Sequence, residues 1–235
     1  MAERIVLVHG AWGSSLSWGP LTRALRRAGY DVTALDMPGH GDDPTPPEEV
    51  TLDDYIDRVV EELESGPPAL LVGHSMGGMA VSGAAERAAP HVRKLAYISA
   101  FLPRHGDSLL DLMRMFPNNM TDVLLPGPVD GTTLLDPMPA MALLAHDASE
   151  TMQAQIAAYL QVQPNSPQTD VISLGKAFES VPKAYVTCLQ DRTIPTELQT
   201  WMQDAHGVTE RYEMDCGHLP MMTQPNQLIE ILKGL

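Results

Sequence analysis

The sequence predicts an α/β fold: a mainly parallel sheet of about six strands flanked by helices. Three observations predict it. Short β-branched runs alternate with longer amphipathic stretches over most of the 235 residues, as parallel strands joined by helical crossovers do. The run Ile5-Val6-Leu7-Val8 is continuously apolar, as in a strand covered on both faces. With 44% apolar and 19% charged residues, one compact domain can bury a large core without disulfide staples.

Ile5-Val6-Leu7-Val8 is too short and too β-rich for a helix and reads as a buried strand. A Gly- and Ser-rich loop follows, then a helix over 18–28 with Leu21, Leu25 and Ala28 at helical spacing and Gly29 as its stop. A second strand over 31–36 ends in the turn Met37-Pro38-Gly39-His40-Gly41. The next helix, over 52–63, has Thr51 as N-cap and Asp53 and Asp54 in its first turn, where the helix dipole favours them. Strands over 69–72, 95–99, 184–188 and 209–214, with helices over 76–89, 197–205 and 227–232, complete the alternation. No internal repeat interrupts it.

Residues 103–167 break this rhythm with a Pro-punctuated stretch containing Met113, Met115, Met120, Met138, Met141 and Met152. The chain therefore divides into a core, 1–102 and 168–235, and a helical lid insert, 103–167, of a length usually kept for function. The methionines either adapt to varied ligand shapes or form the lid's own small core, and the two roles are compatible.

Thirty acidic against 15 basic residues give a net charge of −15, which disfavours nucleic acid and anionic membrane surfaces as partners. The charge is compatible with a monomer or a homodimer. Cys188 and Cys216 are the two cysteines, and so few argue for a reducing compartment. The apolar run near the start is too short for a signal-peptide core. A cytoplasmic location is expected.

Gly73-His74-Ser75-Met76-Gly77 matches G-x-S-x-G, and Gly78 extends it. Its weight comes from context: it lies between a predicted strand and a predicted helix, where a nucleophilic serine sits on a strained turn and its neighbours must lack bulk. A serine hydroxyl needs a base. Of eight histidines, His218 follows the last strand in Asp215-Cys216-Gly217-His218, where a loop carries it to the carboxyl edge of the sheet. His74 is fixed within the turn, His9 and His40 more readily orient loops, and His91, His105, His146 and His206 read as surface or lid residues. Asp191, after the fifth strand and 27 positions before His218, would hold the imidazole tautomer. Asp215 lies too close to His218 in the chain, and Asp204 lies in a helix. An oxyanion hole would draw on the Met76 N–H and on the loop His9-Gly10-Ala11-Trp12, through Ala11 N–H. Gly10, Trp12, Leu219, Met113 and Met141 are the expected substrate contacts. No cluster has metal-ligand spacing, and the chemistry requires no cofactor.

With these residues the chain resembles the α/β-hydrolase superfamily, and within it the small plant-type methylesterase and hydroxynitrile lyase branch with its bacterial esterase relatives. The resemblance rests on Val6-Leu7-Val8-His9-Gly10-Ala11-Trp12, Val32-Thr33-Ala34-Leu35-Asp36, Gly73-His74-Ser75-Met76-Gly77-Gly78, Gln190-Asp191-Arg192-Thr193-Ile194-Pro195 and Gly217-His218-Leu219-Pro220-Met221. It implies an α/β-hydrolase fold with the triad Ser75, Asp191 and His218. It also separates two reactions: lyases of this branch carry threonine in place of Gly10 and lysine in place of Leu219. A departing cyanide needs a nearby cation, which Leu219 does not supply. The expected function is hydrolysis of a small to medium, largely apolar carboxylic ester through an acyl-enzyme. A C–C lyase or cyclase using the same triad, and a non-catalytic ligand-binding receptor on the same fold, are the competing readings.

Overall fold

The computed structural model describes residues 2–235. Strand β1 (Arg4–Val8) leads through a 3-10 turn (Ser15–Trp18) into helix α1 (Gly19–Arg27), β2 (Asp31–Leu35), α2 (Leu52–Glu64), β3 (Ala69–Ser75), α3 (Gly77–Ala88) and β4 (Val92–Ala100). The insert region follows with α4 (Leu109–Arg114), β5 (Leu124–Pro126), β6 (Thr132–Leu135), α5 (Pro137–Leu144), α6 (Glu150–Ala158) and β7 (Gln163–Pro164). After α7 (Ser166–Thr169) and α8 (Lys176–Ser180) the chain returns to the main sheet with β8 (Lys183–Cys188). Helix α9 (Thr196–Ala205), β9 (Glu210–Met214), α10 (Pro220–Thr223) and α11 (Pro225–Lys233) close the fold.

The main sheet has six strands in the order β2-β1-β3-β4-β8-β9, and every neighbouring pair is parallel. The expected sheet is therefore present, flanked by helices. Along β1 the side chains divide by parity. Val6 and Val8 join a core with Tyr55 and Ile56 of α2 and Met79, Val81 and Ala84 of α3. Ile5 and Leu7 join the opposite core with Leu21 and Leu25 of α1 and Leu228 and Leu232 of α11. A strand with apolar residues at consecutive positions must be covered on both faces, which fixes helices on each side. Thr51 caps α2 through a reciprocal bond pair with Asp54, satisfying donors that a bare helix start leaves unpaired.

From β1 the chain moves outward to β2 and then crosses back to β3. The carboxyl ends of β1 and β3 thus flank a crevice where the strand order reverses, the place such sheets keep for ligands.

The insert carries the expected helices and also a three-stranded antiparallel sheet, β5-β6-β7, which its helical reading did not include. Its core holds Met120, Met141, Leu135, Leu144 and Ile156 around Trp12 from the main domain. No helix among the described residues is long and apolar enough to cross a membrane.

Candidate active site

Three non-glycine residues among those described have φ in the left-handed region: Trp12 at +55°, Ser75 at +51° and Ser99 at +39°. Each such conformation costs an L-residue about 1–2 kcal/mol, and all three meet at the carboxyl edge of the sheet. Ser75 ends β3 and α3 begins two residues later, the sharp strand-to-helix turn expected of the motif. Glycine is required beside it. A Cβ on Gly10 would lie 2.7 Å from Ser75 Cβ and 3.0 Å from His74 Nδ1, and one on Gly77 would lie 2.6 Å from the His9 carbonyl oxygen.

Asp191 and His218 arrive on adjacent loops because β8 and β9 continue to pair beyond their ends. Leu189 N–H donates to the Met214 carbonyl at 2.9 Å and Gln190 N–H to the Cys216 carbonyl at 3.0 Å. His218 Nδ1 lies 2.7 Å from Asp191 Oδ2, and both side chains are essentially excluded from solvent. With a carboxylate facing it, Nδ1 carries the proton and Nε2 is left as the basic nitrogen. Asp191 Oδ1 accepts from the N–H groups of Thr193 at 2.7 Å and Ile194 at 3.0 Å, an Asx-type turn that fixes the carboxylate plane.

Ser99 was not anticipated. Its Oγ donates to Asp191 Oδ2. It reaches there because β4 is bulged against β3: His74 pairs with Ile98 and Ser75 with Ala100, leaving Ser99 unpaired. A bulge turns the extra side chain out of the regular alternation. The fully buried His74 Nε2 donates to the His218 carbonyl at 2.9 Å, so the motif's own histidine steadies the loop that carries His218. Burial, and then the neighbouring His218, push its pKa well below the usual imidazole range.

Ser75 and His218 line one small cavity of about 60 Å³ with Gly10, Ala11, Trp12, Leu144, Ile156, Tyr159 and Leu219. No hydrogen bond joins Ser75 Oγ to the imidazole among the described residues. On the other side of Ser75 a cavity of about 740 Å³ is lined by Met76, Phe101, Leu109, Leu110, Met113, Met115 and Met120. Ala11, Trp12, Ser75 and Thr193 belong to both. Trp12 Nε1 and Thr193 Oγ1 are buried there without a partner. Among the described residues, neither the Ala11 N–H nor the Met76 N–H has a backbone partner in the turns and loops, and both residues line the larger cavity.

Of the expected contacts, Gly10, Trp12, Leu219 and Met113 lie on these cavity walls. Met141 does not. It is buried in the insert's own core, because α5 turns it inward and gives the wall to Leu144 instead. His9 and His40 are buried beneath the loop after β1, as loop-orienting residues would be. His206, read as a surface or lid residue, is half-buried and packs edge-on against Phe178. Cys188 and Cys216 are buried free thiols.

A serine on a strained strand-to-helix turn, with an Asp-held histidine on the same cavity at the carboxyl edge of a parallel sheet, defines a hydrolase of the α/β class. The family model described as "Alpha/beta hydrolase family" matches residues 5–231. The chain belongs to that family and is a hydrolase. It is 31% identical over 242 residues to the carbendazim hydrolyzing esterase of Nocardioides sp., covering 98% of each chain. It is 30% identical over 249 residues to the alpha-hydroxynitrile lyase of Arabidopsis thaliana, covering 99% of this chain and 96% of the other. The solved structure of polyneuridine aldehyde esterase superposes with a TM-score of 0.88 at 24% identity, covering 99% of each chain.

Proposed function

We propose that the chain is a carboxylic-ester hydrolase that works through an acyl-enzyme. Ser75 Oγ attacks the ester carbonyl while His218 Nε2 takes its proton. The Ala11 and Met76 N–H groups receive the developing oxyanion, and His218 returns the proton to the departing alkoxide. Water, deprotonated in turn by His218, then releases the acid. Asp191 holds the imidazole tautomer and stabilises the imidazolium. One observation carries this reading: Ser75 shares a cavity with a histidine whose Nδ1 is held 2.7 Å from a buried carboxylate.

The leaving alkoxide takes its proton from His218, so the alcohol belongs on the side of the small cavity that His218 lines. The 740 Å³ cavity then takes the acyl group. That volume lies within the range of ordinary ligand pockets, roughly 300–1,000 Å³, and its walls are mainly apolar. The substrate is an ester of a bulky, largely apolar acid with a small alcohol, the insert serving as a lid over both. Trp12 Nε1 and Thr193 Oγ1 offer hydrogen bonds to a polar substituent near the ester.

Cyanide release is disfavoured. Leu219 lines the small cavity, and no lysine or arginine does so among the described residues. The test is hydrolysis of p-nitrophenyl acetate, butyrate and octanoate by wild type and Ser75→Ala, purified side by side. Turnover abolished in the variant supports the reading. Equal rates in both, or none in either, would remove it and return the choice to a lyase, a cyclase or a binding protein.

A further inference from the structure

We propose that Gln163, carried by the insert, is a positioning residue that holds the oxyanion-side loop in its working conformation through a closed ring of hydrogen bonds. The proposal rests on the esterase reading for its catalytic consequence, though not for its geometry.

The ring starts and ends on adjacent residues of the loop. Trp12 N–H donates to Gln163 Oε1 at 3.0 Å. Gln163 Nε2 donates to Tyr55 Oη at 3.4 Å, and Tyr55 Oη lies 2.7 Å from His40 Nε2. His40 Nδ1 lies 2.9 Å from the Gly13 carbonyl. A carbonyl can only accept, so Nδ1 carries the His40 proton and Nε2 accepts from the tyrosine O–H. The tyrosine oxygen then receives from the amide, whose own oxygen faces the Trp12 N–H. Only one arrangement of protons satisfies every link, and it runs from Trp12 to Gly13 without a gap. Burial pushes the His40 pKa down to about 3, so the neutral form this arrangement needs persists at working pH.

Gln163 and His40 are almost wholly buried, and so is Tyr55. The insert adds a further tie, from Gln161 N–H to the Trp12 carbonyl at 2.8 Å. Both peptide groups of Trp12 are thus bound, at a residue with φ of +55°. A strained backbone persists only where its surroundings over-determine it. The preceding residue is Ala11, whose N–H is one of the two unpaired donors beside Ser75. An insert residue more than 150 positions away in sequence therefore governs where that donor points.

The test compares wild type with Gln163→Leu, Gln163→Glu and Tyr55→Phe. The readouts are kcat and KM for p-nitrophenyl butyrate, affinity for an alkyl trifluoromethyl ketone, active-site titration and amide exchange at Trp12. The ketone forms an oxyanion on Ser75 and so reports the hole directly. Gln163→Leu is expected to lower kcat by about 10- to 100-fold, to weaken the ketone by a similar factor, and to leave KM within about threefold. Tyr55→Phe, which deletes one oxygen, shifts both in the same direction by less, and Gln163→Glu, which keeps the acceptor for Trp12, recovers part of the loss. A kcat within about twofold of wild type in Gln163→Leu overturns the proposal, as does a loss confined to KM or matched by lost active-site titre. If wild type hydrolyses no ester, the esterase reading fails on its own, and amide exchange decides this one. Trp12 exchange at least about tenfold faster in Gln163→Leu supports the ring, since lost protection reports local opening, and equal exchange overturns it.

Discussion

Ser99 Oγ donates to Asp191 Oδ2, the same carboxylate oxygen that faces His218 Nδ1. The two donors share one acceptor, so the serine fixes where the negative charge sits relative to the imidazole. Removing it leaves Asp191 Oδ1 held by Thr193 and Ile194 N–H. A hydrogen bond to a charged group contributes about 1.5–3 kcal/mol, only part of which bears on the rate. Ser99→Ala should lower kcat/KM by about tenfold. Asp191→Asn should lower kcat by about 10³–10⁴, because an amide N–H facing Nδ1 enforces the wrong tautomer. Steady-state kinetics on one ester checks both, and comparable losses in the two variants would contradict this division of labour.

Ser99 also marks where sequence reading stops. The strands were legible because runs such as Ile5-Val6-Leu7-Val8 can only be satisfied by cover on both faces. Ser75, Asp191 and His218 were legible because each sits next to a recognisable strand end. The bulge that turns Ser99 toward Asp191 has no such signature: Ile98-Ser99-Ala100 reads as ordinary strand, and the extra residue shows only in the register against β3. The small sheet of the insert was hidden for another reason. Its strands have two to four residues, and the hairpin between β5 and β6 turns through Gly127 and Gly131 inside what looks like a proline-broken loop. Gln163 could not be singled out at all, since the partners that tie it to the loop after β1 lie at positions 12 and 55, a relation only the fold creates.

Gly10→Thr tests the separation of esterase from lyase chemistry. Any Cβ at this position meets Ser75 Cβ at 2.7 Å and His74 Nδ1 at 3.0 Å, closer than side chains normally approach. The loop must retreat, carrying Ala11 N–H away from the oxyanion, and misplacing such a donor costs about 10²–10³ in kcat. The melting temperature should fall as well, because overpacking typically costs about 1–3 kcal/mol. A Gly10→Thr enzyme that keeps most of its ester hydrolysis would show that Gly10 does not set the hole.

The unequal cavities predict an unequal preference. On the proposed placement of the acyl group in the 740 Å³ cavity and the alcohol in the 60 Å³ one, methyl octanoate should be hydrolysed faster than heptyl acetate, although the two contain the same atoms in the same number. A difference of at least about tenfold in kcat/KM is expected, the value of about 1.4 kcal/mol. Met113→Trp, which fills the larger cavity from its wall, should shift the optimum toward shorter acids and leave the alcohol preference in place. Faster cleavage of heptyl acetate would reverse the assignment of the two sides.

Acid sensitivity follows from three buried histidines other than His218, namely His9, His40 and His74. Burial lowers the pKa of His9 and His74, and brings that of His40 to about 3. In the unfolded chain each returns to about 6.5. Below that value the unfolded chain binds protons that the folded one refuses. Stability is therefore full above pH 6.5 and is lost as pH falls toward the folded values, by up to about 1.4 kcal/mol per pH unit for each group. Between pH 6.5 and 5 few carboxylates titrate, so urea midpoints measured in that window report chiefly on the histidines. The midpoint should fall steadily across it, and His40→Asn should reduce the slope by roughly one proton's worth even though the variant is less stable at pH 7. An unchanged slope would mean that His40 accepts a proton in the folded enzyme, which its neutral place between Tyr55 and the Gly13 carbonyl forbids.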